Sequence, residues 1–195
     1  MRYASNSQNY SPVRKSSTVL SASTAPYLRF IVRGKENKRV EFGAKVNNIQ
    51  IDGISFIEYH SFEAFNEGIR LKQCIEYKES LTGAKGKRVG ADSIYANNAN
   101  RTMCTEKGIT TCFTRKGLRP KEEAECLKTA RKIIGNLRAT VMEGSFGNQK
   151  QHYSLGRIKA RNMFSESLLL FFGIHTANAA ILATREMARN VKKAA

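Results

Sequence analysis

Partial alternation of apolar and polar residues runs from Val40 to Val46 (VEFGAKV), as in a strand with one wet face, and Ile49 and Ile51 continue it. Asp52-Gly53 then supplies turn chemistry, since both residue types tolerate positive φ. Ile54, Phe56, Ile57 and Tyr59 form the return strand. The pattern predicts a hairpin over 39–62. Residues 63–82 change to helical spacing, with Phe65, Ile69, Cys74 and Tyr77 as the expected inner positions. A basic loop from Gly83 to Arg88 leads into a short strand, Arg88–Asp92, and then a turn or short helix from Tyr95 to Arg101. Ile109–Thr114 is β-rich and reads as another strand.

Three helices are expected after it. The first, Lys121–Leu137, follows Pro120 and carries Glu122, Glu123 and Glu125 early, where acids suit the positive end of a helix. The second covers Arg138–Arg161 and the third Glu166–Lys193. This order predicts an α/β or α+β layer architecture, without an internal repeat or a coiled-coil heptad. The apolar run Ser167–Ala183 is short for a bilayer span and contains His175, Thr176 and Asn178. It is expected to be a buried core helix, with no membrane involved.

Charge narrows the function. The 195 residues contain 33 Lys and Arg against 16 Asp and Glu, a formal net charge of +17. Such an excess favours a polyanionic partner, because each cation set on a phosphate releases a condensed counterion. Nucleic acid is the first expectation, ahead of a solvated basic face and of an anionic membrane surface. Residues 1–35 are basic and free of acids, the first acid being Glu36. They are expected to form a basic N-terminal arm with little order, and a transit segment is a minor alternative. Residues 36–195 are the expected folded domain. Cys74, Cys104, Cys112 and Cys126 make no Cys-x-x-Cys pair and have no histidine at zinc-finger spacing, so buried reduced thiols are expected.

Two carboxylates are candidates for metal chemistry. The chain has only two aspartates, Asp52 and Asp92. Asp92 ends a predicted strand, where a side chain faces the crevice of an open α/β sheet; capping the next helix explains it equally well. Glu143 and Lys150 are seven positions apart, close to two helical turns, so they share a face, which Tyr153 and Arg157 extend. An exposed Glu beside a solvated cationic stripe is the plainer reading of that stretch. Asp52 is accounted for by its turn.

These residues carry a resemblance. Asp92 followed by Ser-Ile-Tyr-Ala-Asn-Asn resembles the second-aspartate motif of insertion-sequence transposases with DDE chemistry, and Glu143 with Lys150 and Arg138 resembles their glutamate motif. Phe42-Gly43-Ala44-Lys45-Val46 is similar to the aromatic-Gly-x-Lys strand of the same enzymes, and Ile31-Val32-Arg33-Gly34-Lys35 fits as well. The match covers most of residues 27–185. The interval from Arg138 to Glu143 is longer than the family's.

The resemblance implies an RNase H-like mixed sheet flanked by helices, with Asp92 after the fourth strand and Glu143 on a later helix. It implies DNA transposition by metal-dependent strand cleavage and transfer, with Asp92 and Glu143 as catalytic residues and ligands of Mg²⁺ or Mn²⁺. A two-metal site needs a third carboxylate. The family's first aspartate lies on a strand ahead of the hairpin, and no acid precedes Glu36 here, so the expectation is a fragment lacking that strand, weakly active or inactive. Lys150, Arg138, Arg157, Lys159, Arg161, Lys85, Lys87 and Arg88 are the expected DNA contacts. DNA as transposon ends and target, self-association in a DNA complex and a bacterial cell interior complete the implied picture. The alternative is a non-catalytic basic nucleic-acid-binding protein.

Overall fold

The computed structural model describes residues 30–32, 40–114, 116–117 and 125–194. It is a mixed α/β arrangement, mostly helical, in which the described strands form three two-stranded sheets. Strand β1, Phe30–Val32, pairs antiparallel with β2, Val40–Phe42. Strand β3, Lys45–Ile51, pairs antiparallel with β4, Ile54–Ser61. Strand β5, Arg88–Val89, pairs parallel with β6, Thr110–Thr111. The expected single mixed sheet is therefore not what the described strands form.

The hairpin is where the pattern put it, with one break. Gly43 has a φ of 130°, a region closed to most side chains, and there the chain leaves β2 before β3 begins. The Val40–Val46 alternation thus spans two strands, and β1 lies inside the stretch assigned to the arm; residues 1–29 lie outside the described residues. Asp52 and Gly53 both take positive φ, 48° and 77°, as a tight antiparallel turn requires. The other predicted strands shrink to two residues each, since most of Arg88–Asp92 and Ile109–Thr114 has no pairing partner among the described residues.

Helix α1, Leu71–Thr82, follows a 3₁₀ turn at Glu67–Ile69 and stops at Gly83 with φ 65°. Its inner face differs from the predicted one. Leu71 and Ile75 are buried while Ile69, in the 3₁₀ turn, is 67% exposed, because the helix starts later than the periodicity suggested. Helix α2, Asn98–Glu106, adds Cys104 to a core that includes Leu71, Ile75, Ile109 and Phe113. Helix α3, Glu125–Leu137, agrees with prediction over its described part; 121–124 lie outside the described residues.

The predicted helix over 138–161 is a π turn, Arg138–Met142, then α4, Glu143–His152. It ends because Ser154 takes φ 59° and the N–H groups of Leu155 and Gly156 return to the carbonyls of Gln149 and Lys150. Helix α5, Met163–Ala194, passes over that turn at Gly173, where a Cβ would lie 2.6 Å from Leu155 Cδ2. One face of α5 is buried: Glu166, Leu170, Ile174, Ala177 and Asn178. The expectation of a wholly buried core helix is corrected. Phe164, Phe171, Phe172 and Leu182 are exposed, and Met163–Lys193 is long and apolar enough to cross a membrane.

Candidate nucleic-acid interface

The π turn decides the geometry of the site. In an α-helix, residues five apart lie about 140° apart around the axis, on different faces. A π turn closes its hydrogen bond five residues on, and here the Glu143 N–H donates to the Arg138 carbonyl. Arg138 and Glu143 thereby come onto one face, with Arg138 Nη2 3.4 Å from Glu143 Oε1.

Asp92 reaches the same guanidinium. It follows β5 and caps a 3₁₀ turn, Ser93–Tyr95, its Oδ1 accepting from the Ser93 N–H at 2.6 Å. That oxygen is also 3.9 Å from Arg138 Nη1. The capping expectation for Asp92 holds, on a 3₁₀ turn; the described strands form no open α/β sheet whose crevice it could face. The two candidate carboxylates are separated by no more than one guanidinium and two ion-pair distances. Both side chains are largely exposed, 68% for Asp92 and 60% for Glu143, so they are open to an incoming ligand.

These residues line a groove of about 890 Å³. Its sides are β3 along its whole length, the segment Gly86–Asp92, and parts of α1, α4 and α5. Of the predicted DNA contacts, Lys87, Arg88, Arg138, Lys150 and Arg157 line it. Lys87, Arg88, Lys150 and Arg157 are exposed and form no ion pair among the described residues. Lys85, Lys159 and Arg161 are exposed but stand outside the groove. Arg157 does not continue the helical face of Lys150, since α4 has ended; the turn after it brings Arg157 back to the groove instead.

Asp52 stands at the hairpin tip, 90% exposed and 3.4 Å from Arg185. His152 and His175 are exposed, and His175 stacks on Phe171 at 4.1 Å. His60 has a buried Nε2 without a hydrogen-bond partner, and burial lowers its pKa, partly offset by Glu166.

Several polar residues that position the groove were not read from sequence. Ser55 N–H donates to Asn178 Oδ1 at 2.9 Å, Asn178 Nδ2 donates to the Ser55 carbonyl at 2.8 Å, and Gln149 Nε2 donates to Ser55 Oγ at 2.9 Å. All three residues are buried, and together they tie β4 to α4 and α5. Glu166 is buried and accepts from the Ala44 N–H at 3.2 Å. Tyr95 O–H donates to Asn47 Oδ1 at 2.6 Å, joining the β5 side of the groove to β3. The one sequence signal was an asparagine inside the apolar run of α5.

A hard divalent ion needs several oxygens. Asp92 and Glu143 are two, with a guanidinium between them, and no group of three or more His, Cys, Asp or Glu converges among the described residues. The side chains present do not by themselves fit such an ion. What they offer is two accessible carboxylates in a groove that the exposed cations Lys87, Arg88, Lys150 and Arg157 also line. No protein-family model, curated protein or solved structure matches this chain.

Proposed function

We propose that the chain is a DNA-binding, transposase-derived protein of the DDE type whose catalytic site is incomplete. One observation carries the reading: Asp92 and Glu143, far apart in sequence, meet at Arg138 inside a groove bearing Lys87, Arg88, Lys150 and Arg157, which form no ion pair among the described residues. Carboxylates that converge from separate elements are what metal-dependent phosphoryl transfer on DNA requires. Surrounding cations supply backbone affinity without sequence information. In this reading the fold is RNase H-like, and Mg²⁺ or Mn²⁺ is held only once a third carboxylate joins the two. The DNA partners are the element ends and target, in a bacterial cell interior.

The alternative, a basic nucleic-acid-binding protein without catalysis, is favoured by the Arg138 guanidinium, which lies where a cation between the carboxylates would otherwise sit. The readings separate in a strand-cleavage assay on duplex DNA with Mg²⁺ or Mn²⁺, comparing the wild type with Asp92→Ala and Glu143→Ala. An incomplete site predicts tight, salt-sensitive binding with cleavage slow or absent, any residual cleavage being lost in both variants. Robust cutting abolished by both substitutions contradicts the incompleteness. Residual cutting indifferent to both removes the transposase reading.

A further inference from the structure

Helix α5 carries an uncovered apolar face. Leu170 and Ile174 pack inward, and a step of two residues turns a helix by about 200°. Leu168 and Phe172 therefore point outward, and Phe164, Leu169, Phe171 and Leu182 are exposed beside them. Only 22% of the most apolar stretch of this helix is buried, whereas a core helix of a soluble protein is mostly covered. From Phe164 to Leu182 the face runs for about 27 Å. Contiguous apolar surface of this kind marks a docking site.

Charge at its two ends selects the occupant. Lys159 and Arg161 precede the face, and Lys192 and Lys193 follow it. All four are exposed and form no ion pair among the described residues. Arg185 and Arg189 also stand at the far end, beside Asp52 and Glu186. Between Arg161 and Arg185 the one acid is Glu166, which is buried and accepts from the Ala44 N–H. An apolar face with cations at both ends and no exposed acid between them suits an anionic lipid surface, whose acyl chains take the apolar side chains and whose headgroups take the cations. A second copy of α5 suits it less, because pairing in either direction sets cations against cations. Residues 1–29 hold Arg2, Arg14, Lys15 and Arg29 and no acid, so they bring no complementary charge either.

We infer that α5 docks along the surface of an anionic phospholipid bilayer, with its outer face sunk among the acyl chains. The helix lies on the bilayer and does not cross it. Glu166 and Asn178 fasten its inner face to the hairpin at Ala44 and Ser55, and crossing would expose that polar face to lipid. The expectation of no membrane partner assumed a helix covered on all sides. The inference uses none of the groove's cations and does not depend on the DNA reading.

The sequence has no tryptophan, so Phe172→Trp in the full chain sets a single reporter on this face. Without vesicles the indole should emit as it does in water and be quenched freely by acrylamide. Phosphatidylcholine vesicles containing phosphatidylserine should shift its emission to shorter wavelength and shield it, and phosphatidylcholine alone should bind at least about tenfold more weakly. Adding Phe164→Ser and Leu182→Ser, both exposed positions, should weaken binding by at least about tenfold. Changing Lys159, Arg161, Lys192 and Lys193 together to alanine should weaken it by a similar factor. An indole already shielded in the free chain overturns the inference: with a dimeric mass by light scattering the face belongs to a second copy, and with a monomeric mass to another part of the chain. It is also overturned if vesicles cause no shift, if the two lipid mixtures bind equally, or if binding survives the serine changes. The same shift produced by a duplex of about 20 base pairs assigns the face to DNA and overturns it as well.

Discussion

Arg138 meets Glu143 across a π turn, Nη2 to Oε1 at 3.4 Å, although the two are spaced so that an α-helix would set them on different faces. π turns recur at functional sites because they redirect side chains at the cost of weaker local hydrogen bonding. Both members of the pair are partly or largely exposed, so the pair contributes little to stability. Arg138→Ala should therefore change melting by less than about 0.5 kcal/mol. It should weaken duplex binding and reduce the slope of log affinity against log salt by about 1. A large loss of stability with an unchanged slope would make Arg138 a structural brace rather than a phosphate contact.

The clasp of Ser55, Gln149 and Asn178 holds α4 and α5 against β4. Asn178→Ala removes both partners of the Ser55 main chain inside a buried region, which should cost about 1–3 kcal/mol. Gln149 shares the same serine, so the double variant should depart from additivity by at least about 0.5 kcal/mol in chemical denaturation. Additive costs would mean that the two side chains act separately.

Ionisation of buried groups sets the pH range of stability. Burial, with the Glu58 carboxylate second, pushes the Cys74 thiol up to about 11 from its ordinary 9.0. The unfolded chain loses that proton first, so the contribution of Cys74 is present below pH 9.0 and is lost as pH rises toward about 11. His60 is shifted the other way: its contribution is present above its ordinary 6.5 and is lost as pH falls below it. Thermal melting should be highest between these limits, and Cys74→Ala should flatten the alkaline limb. An alkaline limb equally steep in the variant would assign it to other groups.

Thiol reactivity gives a further check. Cys126 is exposed, whereas Cys104 is buried and its thiol is raised by burial. A maleimide at neutral pH should label Cys126 rapidly and leave Cys74 and Cys104 until the chain is unfolded. Equal labelling rates at Cys104 and Cys126 would contradict the described core.

Short-range chemistry was the readable part of the sequence. The Asp52-Gly53 turn and its flanking strands follow from positive φ and alternation, and the presence of α1 and α3 follows from periodicity and early acids, whereas α2 lies at Asn98–Glu106 and not at the expected Tyr95–Arg101. The boundaries that failed depend on distant partners. Strands β5 and β6 shorten because pairing, and not propensity, defines them, and α4 stops at His152 because Ser154 turns left-handed under α5. Spacing alone joined only Glu143 and Lys150; the grouping of Asp92, Glu143, Arg138 and Lys150 rests on the resemblance, in which the Arg138 interval is longer than the family's. Their convergence depends on the π turn, which leaves no periodic signature. The Ser55 clasp and buried Glu166 join residues more than ninety positions apart and could not be seen in any local window.

The claim on which the account depends is that the groove around Arg138 binds nucleic-acid backbone. The direct measurement is duplex affinity against salt for the wild type and for a variant with Lys87, Arg88, Lys150 and Arg157 all changed to alanine. Four lost phosphate contacts predict a slope shallower by about 3–4. Changing Lys159 and Arg161, which lie outside the groove, should have a smaller effect. A slope unchanged in the groove variant would contradict the account.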